Sequence, residues 1–484
     1  MTQEEQMTPK GIVSQLDNYI VGQDEAKKSV SIALRNRYRR LQLDPQMQED
    51  ITPKNLLMIG PTGVGKTEIA RRLAKIVDAP FVKVEATKFT EVGYVGGDVN
   101  SMVRDLVENS VQMEKKIQFK NVRREAEKKA NQDLAEIISR EENHVDDAQE
   151  KSNNDKKLQD TVKELNKAFK KGKPMDLSWL NEKDPFMDQN EKDKIKDDSS
   201  RILAQIENGE LEDQEVKISI DDPSAALNAD NSKMEQMGIN LQGLENMLPK
   251  KQVERVLPLK EAREALINQE SETLIDDAKV NGAAIKRAEN TGIIFIDEID
   301  KLTGGNKQTR GEVSREGVQR DILPIVEGVN VNTKYGVINT NHILFIGSGA
   351  FADSKPSDLI PELQGRFPIR VELNDLSKDD FVKILTEPSD ALIKQYVALI
   401  GTDNIKVTFT KEAIEKIADI AYSVNHDTDN IGARRLHTIL EKLLEDILYE
   451  GPDMHMGDIT INQKYVEDKV GNLAADENVA RYIL

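Results

Sequence analysis

The chain has 484 residues, a formal net charge of −19, 38% hydrophobic and 32% charged residues, only 4% aromatic residues and no cysteine. A single core stops growing at roughly 250–300 residues, so two or three domains are expected. The missing thiols exclude disulfides, thiol catalysis and cysteine-bound zinc, and a pI near 5.0 argues against a phosphate track as the main contact surface.

The N-terminal MTQEEQMTPK is acidic and polar where an export signal is basic and then apolar. No run of about 18 apolar residues offers a membrane span, so a soluble chain in a reducing cytoplasm is expected. From Gln23 to Leu41, the residues Ala26, Val30, Ala33, Leu34 and Leu41 recur at helical spacing behind Val21-Gly22. Leu56–Ile59 reads as a buried strand running into a glycine-rich turn. Ile69, Ala70, Leu73, Ala74 and Val77 mark a helix, and Phe81–Val84 a second strand. This βαβ order predicts a parallel sheet.

Residues 111–210 hold 21 basic and 23 acidic side chains, a density that predicts solvated helices with little core of their own. Ile293–Ile296 and Ile343–Ile346 return to continuous apolar runs, the pattern of strands covered on both faces. From Leu376 onward helical periodicity dominates, as in Ile414, Ile417, Ala418 and Ala421, then Leu436, Ile439, Leu440, Leu443 and Leu444. The expected fold is α/β, a P-loop parallel sheet with helices on both faces over residues 1–110 and 285–373. A charged, mainly helical insertion spans 111–284, and a mainly helical domain spans 374–484. No internal repeat is visible.

Gly60-Pro61-Thr62-Gly63-Val64-Gly65-Lys66-Thr67 matches G-x-x-x-x-G-K-[ST] between a strand and a helix. Its glycines let backbone N–H groups converge on phosphate oxygens at a helix N-terminus, which favours ATP as the bound anion. Lys66 is expected on the β- and γ-phosphates and the Thr67 hydroxyl on Mg²⁺. The binding stretch covers Gly63, Val64, Gly65, Lys66, Thr67 and Glu68. Asp297-Glu298 ends an apolar strand. Asp297 is assigned to the metal and Glu298 to orienting and deprotonating the attacking water. Alone, such a pair also suits a helix cap; the P-loop beside it decides the reading.

The carboxylate pair resembles that of AAA+ ATPases. Several further stretches resemble the HslU family: Ile20-Val21-Gly22-Gln23, Gly93-Tyr94-Val95-Gly96, Ser314 to Asp321, Pro361 to Arg366, Ile431 to His437 and Arg481-Tyr482-Ile483-Leu484. The likeness covers residues 7–110 and about 285–484 and is looser over 111–284, where that family carries an intermediate domain. It implies an AAA+ protein unfoldase, a homohexameric ring with nucleotide sites between subunits, and an HslV peptidase as partner. It further implies Val21 against adenine, Glu362 at the nucleotide and Arg366 as an arginine finger acting on the neighbouring subunit. Arg434 is implied as a second sensor, with Arg435 the open alternative; Ser348 is a candidate first sensor. By residue type alone, Arg366 and Arg434 fit surface ion pairs equally well.

Tyr94 and Val95 between glycines suit either a mobile loop with an apolar tip or a turn whose tyrosine packs inward; the resemblance implies a pore loop gripping substrate. Tyr482, Ile483 and Leu484 could fold back on their own domain; the resemblance implies that they dock between peptidase subunits. A nucleic-acid remodeller is disfavoured by the acidic balance and the lack of a DNA-binding module. A non-hydrolysing scaffold has no use for Glu298. The chain carries neither H-E-x-x-H nor G-x-S-x-G, so peptide cleavage falls to a partner.

Overall fold

The computed structural model describes residues 8–90, 97–142, 189–221, 252–303, 315–453 and 457–471. The chain divides into two compact units, one of residues 1–114 with 278–484 and one of residues 115–277.

The larger unit opens with α1 (Pro9–Asp17), capped by the Thr8 hydroxyl accepting from Gly11 N, and α2 (Asp24–Leu41). β1 (Leu56–Ile59), α3 (Lys66–Ile76) and β2 (Phe81–Glu85) follow, and α4 (Ser101–Glu142) leaves this unit after residue 114. α3 forms because Ile69, Ala70, Leu73 and Ala74 place one apolar stripe on the core while Arg71, Arg72 and Lys75 stay on the other faces.

The smaller unit holds the rest of α4, α5 (Gln189–Glu207), the antiparallel pair β3 (Glu215–Asp221) and β4 (Gln252–Pro258), and α6 (Leu259–Leu274). It has a core of its own. Ala126, Ala130, Leu134 and Ile138 on α4 pack with Ile202 and Ile206 of α5, Val216 and Ile218 of β3, and Leu259 and Leu266 of α6. The expectation of little core here is corrected: the α4 residues recur every fourth position, so one face is apolar despite the charge density around it.

The larger unit resumes with α7 (Asp277–Thr291), β5 (Ile293–Asp297), α8 (Arg315–Glu327), the hairpin β6 (Asn330–Thr333) and β7 (Gly336–Asn339), and β8 (Leu344–Gly349). α9 (Pro361–Arg366) and β9 (Ile369–Glu372) complete the sheet region. The main sheet has the order β2-β5-β8-β1-β9 with every pair parallel. All six residues of β8 are buried, and so are Ile293–Ile296 of β5; successive side chains point to opposite faces, so both faces are covered. β8 lies between β1 and β5, which places the ends of these three strands side by side.

The C-terminal part consists of α10 (Lys378–Thr386), α11 (Leu392–Gly401), β10 (Ile405–Phe409), α12 (Lys411–Asp427), α13 (Arg434–Glu450) and β11 (Gly457–Ile461). β10 and β11 pair in parallel. Ser377 and Asp380 form a reciprocal capping box on α10, and Thr410 caps α12. Ile417, Ala421, Leu436, Leu440 and Leu444 belong to one continuous core with Leu56, Phe295 and Ile346 of the sheet. Gln23 adds a polar tie, donating to Asn374 O at 2.9 Å and accepting from Asn374 N at 3.0 Å. Among the described residues, no helix is long and apolar enough to cross a membrane.

Candidate nucleotide site

β1 ends at Ile59, and the chain turns through Gly60–Gly65 into α3, whose N-cap is Gly65 at φ 101°. The first N–H groups of that helix have no intrahelical acceptor and face the turn, as anion binding requires. Lys66 folds across the loop, its Nζ donating to Gly60 O at 2.5 Å and Pro61 O at 2.7 Å. Burial lowers its pKa, while Asp297 and Asp300 act in the opposite direction.

Asp297 ends β5 beside this loop. Its Oδ2 pairs with Lys83 Nζ at 2.8 Å and lies 3.5 Å from the Thr67 hydroxyl, while its Oδ1 accepts from Ser348 Oγ at 3.0 Å and Glu298 N at 3.1 Å. Partial burial works against the charge, but these donors hold the carboxyl below its ordinary range. Glu298 adopts φ 57°, a left-handed conformation that costs a non-glycine residue about 1 kcal/mol and turns its side chain away from the sheet core. Its Oε2 accepts from Thr87 Oγ1 at 3.3 Å.

The C-terminal part reaches the same loop. Ala433 N donates to Gly63 O at 3.0 Å, and a Cβ on Gly63 would stand 2.0 Å from Ile431 O. Gly432, at φ 59°, faces Gly63 so closely that its own Cβ would lie 2.6 Å from Gly63 C. The two backbones touch only because neither residue carries a side chain. Gly432→Ala adds both a clash and a left-handed penalty of about 1–2 kcal/mol, so KM for ATP is expected to rise about tenfold with the circular-dichroism spectrum unchanged. Steady-state ATPase titrations measure this.

The geometry separates the two neighbouring arginines at the start of α13. Arg435 is 4% exposed, its Nε donating to Asn425 Oδ1 and its Nη2 to Thr428 Oγ1 and Asp429 O, and burial lowers its pKa. It ties its own domain together. Arg434 is exposed and lines the cavity above the P-loop.

That cavity has a volume of about 630 Å³, within the range of small-molecule sites. It brings together Gly63, Gly65, Lys66, Thr67, Glu68, Asp297, Glu298 and Arg434. The same cavity is also lined by the apolar or aromatic side chains of Tyr19, Ile384, Pro388, Ala391 and Leu392, an apolar wall able to cover a flat base. Val21, Val64, Glu362 and Arg366 are not part of its lining. Val64 is buried in the core, and Val21 is half-buried. Arg366 donates through Nε and Nη2 to Glu327 Oε1 at 3.0 and 2.8 Å, and Glu362 is exposed near Arg320. Tyr94, Val95, Tyr482, Ile483 and Leu484 lie outside the described residues.

Sequence reasoning missed Lys83, Thr87 and the apolar wall. A lysine set between Val82 and Val84 in the middle of β2 was the available signal for the first. The wall comes from α10, the segment after it, the first residue of α11 and the turn after α1, all distant in sequence from any phosphate-binding motif.

An ATPase of the AAA class is what the strand order, the loop and the paired carboxylates define. Residues 56–218 match the ATPase family associated with various cellular activities (AAA), residues 227–370 the AAA domain (Cdc48 subfamily), and residues 376–456 the C-terminal, D2-small domain of ClpB protein. The chain is 60% identical over 482 residues to the ATP-dependent protease ATPase subunit HslU of Lactiplantibacillus plantarum. It is 59% identical over 480 residues to that of Enterococcus faecalis and 52% over 482 residues to that of Halalkalibacterium halodurans. Each alignment covers 99% of both chains. The chain belongs to the HslU family of ATPase subunits.

Proposed function

We propose that this chain is a cytoplasmic ATP-driven protein unfoldase, acting as a homohexamer that threads substrates through its central pore into an HslV peptidase and activates it. The observation that carries the reading is that one cavity is lined by Lys66 at the start of α3, Asp297 and Glu298 at the end of β5, and Arg434 of the C-terminal part. ATP is the substrate that these groups suit. The N–H groups of Gly63–Glu68 and the Lys66 ammonium take the phosphates, and Arg434 approaches them from the lid.

The Thr67 hydroxyl and the Asp297 carboxylate, 3.5 Å apart, are hard oxygen donors suited to Mg²⁺. When bound, that ion supplies Lewis-acid neutralisation of phosphate charge. Glu298 orients and deprotonates the attacking water, and Thr87 holds its carboxylate meanwhile. Ser348, bonded to Asp297, fits the first sensor. Val21 and Glu362 are assigned to the nucleotide from the family likeness. Arg366, outside its own subunit's cavity, is assigned to the neighbour's γ-phosphate. We assign residues 1–110 and 285–373 to the nucleotide-binding domain, 111–284 to the intermediate domain and 374–484 to the lid and oligomerisation domain.

Tyr94 and Val95 grip the translocating chain, and Tyr482, Ile483 and Leu484 dock the peptidase; six weak tails acting together give a stable but reversible contact. The test is loss of fluorescence from a folded, tagged green fluorescent protein mixed with the chain and ATP. Unfolding is expected with wild type, and Tyr94→Ala is expected to hydrolyse ATP while unfolding about tenfold more slowly or not at all, as a lost aromatic anchor implies. Undiminished unfolding by Tyr94→Ala removes that residue from substrate handling.

A further inference from the structure

Arg72 lies one turn after Glu68 on α3, and its guanidinium meets this glutamate of its own helix and two further segments. Nε donates to Glu68 Oε1 at 2.6 Å, Nη2 donates to Asp390 Oδ2 at 2.5 Å, and the guanidinium carbon stands 3.9 Å from the centroid of the Tyr19 ring. Asp390 belongs to the segment between α10 and α11, and Tyr19 to the turn after α1. These two are joined directly as well, Ser389 N donating to Asn18 O at 3.0 Å. Tyr19, Glu68 and Asp390 all line the nucleotide cavity.

The chemistry needs an arginine. A planar guanidinium offers one carboxylate its Nε edge, a second its Nη2 edge and an aromatic ring its face, all at once; an ammonium has no such fork. Partial burial works against the charge of Arg72, but Glu68, Asp390 and Tyr19 more than offset it, and its pKa is raised. The Arg72 side chain is 17% exposed and Asp390 46%, so the bond to Asp390 lies at the rim of the cavity, partly shielded from water.

We propose that Arg72 is a positioning residue that clasps the lid segment at Asp390 and the Tyr19 turn to the P-loop helix, so that this bridge sets how fast nucleotide leaves. Part of the apolar wall that covers the base end of the cavity, Tyr19 with Pro388, Ala391 and Leu392, is carried by the two segments that the clasp holds. With the bridge to Asp390 broken, the segment around Pro388–Leu392 keeps the bond from Ser389 N to Asn18 O but loses its ion-pair tie to the P-loop helix, and it opens more often. The inference rests on the cavity being the nucleotide site.

The experiment is stopped-flow release of N-methylanthraniloyl-ADP from the full chain, for wild type, Asp390→Asn, Asp390→Glu, Arg72→Gln and the double variant Arg72→Gln/Asp390→Asn. Asp390→Asn is expected to release the analogue roughly three- to fivefold faster, the span that a partly exposed ion pair supports. KM for ATP rises in step, while kcat at saturating ATP moves by less than about twofold. Asp390→Glu restores slow release because it keeps the carboxylate, and the double variant releases no faster than Arg72→Gln alone. Raising the salt concentration speeds release from wild type more than from Asp390→Asn. Release from Asp390→Asn at the wild-type rate overturns the clasp, and so does a double variant in which the two effects multiply independently. Lys66→Ala separates the two claims. If Lys66→Ala binds the analogue as tightly as wild type, the nucleotide reading of the cavity fails and the clasp with it; if binding needs Lys66 while Asp390→Asn changes nothing, the clasp alone is overturned.

Discussion

Glu298→Gln is expected to bind ATP as wild type does and to lower kcat by about 10²–10⁴, the range that general-base catalysis supplies. The substitution keeps the shape of the side chain and removes only its capacity to accept a proton. Nothing that holds the phosphates is touched: Lys66 keeps its place in the loop, and Asp297 keeps Lys83, Ser348 and the backbone N–H of residue 298. Thr87 can still donate to the amide oxygen, so this contact survives the substitution. The measurement is equilibrium binding of a fluorescent ATP analogue beside steady-state phosphate release. Full turnover by this variant takes the proton-accepting role away from Glu298.

The second large effect concerns Arg366. In its own subunit this side chain is outside the cavity and bonded twice to Glu327. If it acts on a neighbour, Arg366→Ala removes transition-state stabilisation worth about 10³–10⁵ in comparable phosphoryl transfers. Lys66→Ala removes turnover from the other side, by losing the phosphate contact within its own cavity. Co-assembled rings of the two variants are expected to regain a measurable fraction of wild-type ATPase, because some interfaces then pair an intact Lys66 with an intact Arg366. Native mass spectrometry establishes that the rings are mixed. Mixed rings as inactive as either parent contradict a shared site.

What the sequence revealed and what it hid divide along a physical line. Gly60–Thr67 and Asp297-Glu298 were legible because each is contiguous: a loop that must present backbone N–H groups, and a strand end that must present oxygens, are built from neighbours in the chain. The apolar wall of the cavity was illegible because Tyr19, Ile384 and Leu392 meet only through tertiary packing, and as ordinary apolar or aromatic residues they carry no chemical label. The two arginines of α13 are an intermediate case. Arg435 falls four and eight residues before Ile439 and Leu443, on the buried face, and helical geometry alone points it inward while Arg434 turns toward the cavity. The smaller unit shows the limit of composition. Counting charges over 111–210 concealed the stripe Ala126, Ala130, Leu134 and Ile138, and it stopped short of Val216, Ile218, Leu259 and Leu266, which complete the core.

Degradation of a folded, tagged protein by the chain, ATP and an HslV peptidase, each omitted in turn, is the most direct test of an ATP-driven unfoldase that feeds a peptidase. Loss of the substrate is expected only when all three are present, and no loss when Glu298→Gln replaces the wild-type chain. Equal degradation without ATP or without the chain would contradict it, as would a complete mixture that hydrolyses ATP and leaves the folded substrate intact.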